Sequence, residues 1–200
     1  MTRILFIFLT IFSSTLSMSQ GPTFSQTLNK LFFGVDISNK SSSLVDSFLS
    51  IPQLHYHAPV ARQWNLNVSM QMKSDKASSS KHEFAFTETP LPDYNIRKGI
   101  IEVNVGQADT VKKLLDLNWH LDFNCDADAI KYFERLKQVF SEVSTNKKFS
   151  HDKDEGDMAQ FSTRKQSDTG IRDVTFFLYK SLQTKKFEIA LLLGNEIMNE

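Results

Sequence analysis

Residues 34–41 read GVDISNKS and differ from the phosphate-cradling pattern Gly-x4-Gly-Lys-Ser only at Asn39. In such a loop glycines let backbone N–H groups close around phosphates, and the Lys neutralises them. Asn tolerates a left-handed backbone, so Asn39 alone does not forbid the loop. Val35-Asp36-Ile37 argues against it, because an aliphatic-Asp-aliphatic core marks a packed segment rather than an open cradle. The stretch aligns with HLDFNCDA (120–127), whose carboxylates would repel phosphate. It is expected to be a structural turn. Asn39-Lys40-Ser41 is also a glycosylation sequon, as is Asn67-Val68-Ser69.

His55-Tyr56-His57 is the next candidate. On an extended chain its two imidazoles point the same way, about 7 Å apart at ~3.3 Å per residue. That spacing suits shared ligation of zinc or copper, with a third donor drawn from His82, Glu83, Asp93 or His120. The competing reading places both His on the solvent side of a segment whose Tyr56 is buried. Cys125 lies in Asn124-Cys125-Asp126-Ala127-Asp128, a poor setting for a thiolate nucleophile, and is expected to be an inert, at least half-buried thiol. The acidic stretch 152–157 offers oxygen donors around Gly156 but lacks EF-hand spacing, so a solvated loop is expected. No Gly-x-Ser-x-Gly, His-Glu-x-x-His, Cys-x-x-Cys or Gly-x-Gly-x-x-Gly is present.

These residues sit in a chain that opens like an exported protein. Arg3 precedes the apolar run Ile4–Phe12, followed by small polar residues, which is the layout of a secretory leader cleaved before Gln20. The run is shorter than the roughly 20 residues a membrane span needs. A secreted or periplasmic location follows, with no span after cleavage. Lys plus Arg number 23 and Asp plus Glu 23, and loss of Arg3 with the leader leaves one excess negative charge. That balance excludes the basic surface nucleic-acid binders need. A single Cys rules out an internal disulfide, so the core must hold the fold, and 17 Phe supply bulk for it.

An internal similarity organises the rest. Thr27–Phe32 matches Thr110–Leu115, Val35–Ile37 matches Leu121–Phe123, and Ile101–Val103 matches Phe187–Ile189. Apolar residues at i, i+3 and i+4 predict helices at 26–32 and 110–115. Second helices are expected at Ser43–Ser50, stopped by Pro52, and from about Ala127 to Ser144. Alternating runs then predict strands at 66–73, 83–87 and 101–105, and again at 158–163, 173–179 and 187–192. The expected fold is α+β: a tandem duplication of a helix-helix-strand-strand-strand unit, at 20–106 and 107–200 after a 1–19 leader. The two copies are expected to join as one antiparallel sheet of about six strands with helices on one face.

The run FFGVDISNKSSSLVDSFLSIP resembles the Gly-aliphatic-helix-x-Pro turn of small exported α+β repeat domains, namely the tandem-repeat beta-lactamase inhibitory proteins and the small outer-membrane assembly lipoproteins. Gly34, the helix at 43–50 and Pro52 carry the resemblance. The second copy lacks the turn glycine and the Pro, and the lipoprotein Cys is missing. The resemblance implies a protein-binding, non-enzymatic role. Tyr56, Trp64 and Trp119 are then the interface candidates, aromatics being enriched in such contacts. The rival expectations are an extracytoplasmic metal-dependent hydrolase using zinc on His55 and His57, and a carrier of a small apolar ligand held between the helices and the Phe-rich sheet.

Overall fold

Every second residue from Leu117 to Phe123 is apolar, and all four of those side chains are buried while Asn118, His120 and Asp122 stay partly exposed. This is the signature of a strand covered on one face. The computed structural model describes residues 21–38, 43–62, 77–91, 94, 96–108, 111–153, 156–164 and 171–193. Within them the chain forms α1 (Phe24–Leu31), α2 (Ser43–Leu49), β1 (His55–Arg62), β2 (Ala77–Phe86), β3 (Ile96–Ala108), β4 (Val111–Phe123), α3 (Asp126–Val143), β5 (Asn146–Asp152), β6 (Gly156–Ser162), β7 (Asp173–Lys180) and β8 (Phe187–Leu193). The strands make one antiparallel sheet in the order β1-β2-β3-β4-β8-β7-β6-β5.

This overturns the expected helix-helix-strand-strand-strand duplication with about six strands. Eight strands and three helices form a sheet-dominated fold, and the order is two helices followed by four strands, then one helix followed by four strands. The helix expected at 110–115 is instead the start of β4. The reason is a bulge: Asn104 pairs with Asp116 but Val105 with Leu114, leaving Leu115 as an extra residue. One inserted residue resets the phase of alternation, so Val111, Leu114 and Leu115 fall at helical spacing although the backbone is extended. Residues 106 and 107, the expected junction of the two units, lie inside β3. Residues 77–82, between two of the expected strands, belong to β2, and in the acidic stretch Asp152 ends β5 opposite Gly156, which begins β6. The leader and the strand expected at 66–73 lie outside the described residues.

The helices bury aromatic stripes against the sheet. Phe140 of α3 meets Phe24 of α1 edge-on at 5.5 Å and reaches Phe176 and Phe161 of the sheet at 5.0 and 5.7 Å. Phe48 of α2 lies 5.3 Å from Phe84, and Tyr132 of α3 lies 5.5 Å from Phe123. The Tyr132 hydroxyl bonds Thr89 Oγ1 at 2.7 Å, and burial pushes its phenol well above the ordinary range. Ile130 and Leu49 lie on the outer sides of their helices and are exposed.

At the end of α1, Phe33 and Gly34 both have positive φ, 57° and 83°, and turn the chain so that the Phe33 ring packs edge-on against Phe86. Asn29 Oδ1 accepts from Ile37 N–H, and Asp36 Oδ1 accepts from the Ser38 N–H and hydroxyl at 3.0 and 2.6 Å. These N–H groups are therefore committed to side chains rather than free to cradle phosphate. Asn39, Lys40 and Ser41 lie outside the described residues.

Two predictions follow from these contacts. Gly99 faces Phe86 across β2–β3, and a Cβ there would lie inside the Phe86 ring. Gly99→Ala should cost about 1–3 kcal/mol in urea unfolding, with Phe86→Leu partly restoring the loss in the double variant. The Ser38 hydroxyl, against a smaller opposing effect of burial, holds the Asp36 carboxyl below its ordinary value of 3.8. A depressed carboxyl stabilises the fold above its ordinary value and loses that contribution as pH falls through its folded value. Asp36→Ala should therefore flatten the acid limb of stability against pH, measured by chemical unfolding through the carboxylate range.

Candidate functional site

The sheet face opposite the helices carries a polar cluster at its centre. Strand alternation puts His120 and Asp122 together on this face of β4. Register adds the others: Asp122 faces Glu188 of β8, and Glu188 faces Tyr179 of β7. The tight turn closed by Ser181 N–H to Lys186 O, with Lys185 at φ 58°, then brings Thr184 back over Glu188.

The contacts are specific. His120 Nε2 stands 3.4 Å from Asp122 Oδ1 and 3.3 Å from Glu188 Oε2. Arg97 Nη2 donates to Asp122 Oδ2 at 2.8 Å, and Thr184 Oγ1 donates to Glu188 Oε1 at 2.9 Å. The Tyr179 hydroxyl donates to Glu188 Oε2 at 3.2 Å and lies 3.2 Å from His120 Nδ1. Burial first, and the Glu188 charge second, hold the Tyr179 phenol well above its ordinary range. Glu188 is buried although charged, and Asp122 Oδ1 is buried with no hydrogen-bond partner. Among the described residues, His120, Asp122 and Glu188 are the group of His, Cys, Asp and Glu side chains close enough to share an ion.

The residues singled out in the sequence are scattered. His55 and His57 are exposed on the edge strand β1, two positions apart, and do not belong to that group. Tyr56 is 38% exposed, not buried; its hydroxyl meets His82 Nδ1 at 3.0 Å and the rings stack. Trp64 lies outside the described residues. Trp119 is a core residue, 1% exposed, packed 6.4 Å from Tyr132. Cys125, expected to be at least half-buried, is exposed at the start of α3. There the adjoining chain is clipped to β8 by Phe187 N–H donating to Asp126 Oδ1. The space between helices and sheet, read as a ligand compartment, is filled by ring contacts. A cleft of about 250 Å³ opens instead beside Gly34, Asp36, Ser43 and Ser47.

In the sequence His120 is only one of four possible third donors beside His55 and His57, while Asp122 and Glu188 carry no local signal. Their convergence depends on β4–β8 register, and the only linear hint is the alternation Trp119-His120-Leu121-Asp122-Phe123. Comparison with family models, with curated proteins and with solved structures finds no match. Among the described residues no helix is long and apolar enough to cross a membrane.

The indole N–H of Trp119 is buried without a partner, so it adds a desolvation cost and no hydrogen bond. Trp119→Phe should lose under about 2 kcal/mol of unfolding free energy, whereas Trp119→Ala should lose about 3–5 kcal/mol.

Proposed function

We propose that the chain is an exported, non-enzymatic protein that binds a protein partner through the helix-free face of its sheet. The observation that carries this is the surface of that face. Leu192 is 54% exposed, and partly exposed Ile100, Ala190, Phe177 and Met158 follow one register row across it, with His120 between Ile100 and Ala190. Around the row stand the ion pairs Lys81–Glu102 and Glu83–Lys98. An apolar strip edged by compensated charges is the composition of a protein–protein contact. Strands hold these side chains in fixed positions, which lowers the ordering cost of binding. The leader pattern at 1–19 supports export.

Catalysis has less support. Burial and the Glu188 charge hold the Tyr179 phenol well above its ordinary range, which disfavours its use as a nucleophile, and Thr184 is spent on positioning Glu188. The test is cross-linking capture from an extracytoplasmic fraction with the leaderless chain. Leu192→Arg should reduce capture by about tenfold or more, as for a central contact residue. Ile130→Arg, on the exposed side of α3, should leave it unchanged, with both variants keeping the parental unfolding midpoint. Equal capture by both, or loss only with Ile130→Arg, overturns the assignment.

A further inference from the structure

We infer that His120, Asp122 and Glu188 form a binding site for one divalent transition-metal ion, with zinc the ion whose coordination chemistry fits them. The site lies on the same open face as the apolar strip, and its test reads metal binding rather than partner capture. Three features of the cluster converge on it.

The first is spacing. A charge-assisted N–H···O bond is about 2.7–2.9 Å long. His120 Nε2 instead stands 3.4 and 3.3 Å from its two carboxylate oxygens, too far for such bonds. Donors about 2.0–2.1 Å from a tetrahedral zinc ion lie roughly 3.3–3.4 Å from one another. All three donor atoms lie within 4.8 Å of each other.

The second is the outer ring of contacts. Each residue has one heteroatom turned into the cluster and the other held from outside. Tyr179 holds His120 Nδ1, Arg97 holds Asp122 Oδ2, and Thr184 holds Glu188 Oε1. Supporting hydrogen bonds of this kind orient metal ligands and set the imidazole tautomer. The inward atoms are Nε2, Oδ1 and Oε2, and Oδ1 is the buried oxygen without a hydrogen-bond partner.

The third is proton bookkeeping. Tyr179 has one proton, and it points at Glu188 Oε2. The phenol oxygen must then accept from His120 Nδ1–H, which leaves Nε2 facing two carboxylates. Nε2 is thus the ring nitrogen turned toward Asp122 Oδ1 and Glu188 Oε2 while Nδ1 is held from behind, the arrangement of a metal-ligating imidazole. His120 is partly exposed, so an ion can reach the cluster from solvent.

The experiment uses the whole leaderless chain, stripped with chelator and titrated with zinc. One equivalent should bind and raise the thermal midpoint, and cobalt in its place should give the visible absorption of a tetrahedral N/O site. His120→Ala, Asp122→Asn and Glu188→Gln should each weaken zinc binding by more than about 100-fold, and Tyr179→Phe by about 10-fold, the range for supporting residues. The double change of His55 and His57 to Ala should leave binding intact. Should a buried variant fail to fold, stoichiometry and the cobalt spectrum of the parent chain decide. The inference is overturned if the parent binds no zinc at micromolar concentration, or if the His55/His57 variant loses binding that His120→Ala retains.

Discussion

The pairing of β4 with β8 is the contact on which the rest of the molecule depends. Each half is four antiparallel strands preceded by helix, two helices in the first and one in the second, and the halves meet at their last strands through Trp119–Leu191, His120–Ala190, Leu121–Ile189 and Asp122–Glu188. Because side chains alternate, that register assigns both faces at once. Trp119, Leu121, Ile189 and Leu191 go into the core, while His120, Asp122 and Glu188 gather on the other face. A slip of one residue would bury the charges and expose the indole.

On the covered side the dominant device is the aromatic ring. Phe140 touches α1, β6 and β7, so one side chain ties the two layers together. Tyr132 does the same for α3 against Trp119 and Phe123, with its hydroxyl satisfied by Thr89. Without a disulfide, this packing carries the stability of the sheet, and at Gly99 a core position is emptied to admit the Phe86 ring. On the uncovered side, burying Glu188 is tolerated because Thr184 and Tyr179 both donate to it. A buried charge with that many partners is costly to build by chance, which is why the cluster stands out from the ordinary ion pairs of the same face.

Much of the architecture was legible along the chain. The long helix is where its apolar stripe places it, and Asp173–Lys180 and Phe187–Leu193 follow their alternation closely. Failures fell where local pattern and backbone part company. At Leu114–Asp116 a bulge gave a strand the apolar spacing of a helix. At Asn146–Asp152 a strand with every residue exposed carried no burial pattern to detect. The stretch at 34–38 looked like a catalytic loop by its letters, yet its N–H groups are held by Asn29 and Asp36.

The sequence by itself determined the leader pattern, the near-neutral charge, the disulfide-free core and which residues of each strand share a face, since all of these are properties of composition or short period. Only the tertiary structure decided the strand order, the number of strands and the candidate site. His120 and Glu188 are 68 positions apart in the numbering and meet only because β8 lies against β4 rather than beside β5. Alternation is a local steric rule, whereas register between distant strands comes from which apolar faces fit together over the helices, and that choice is made by the whole core.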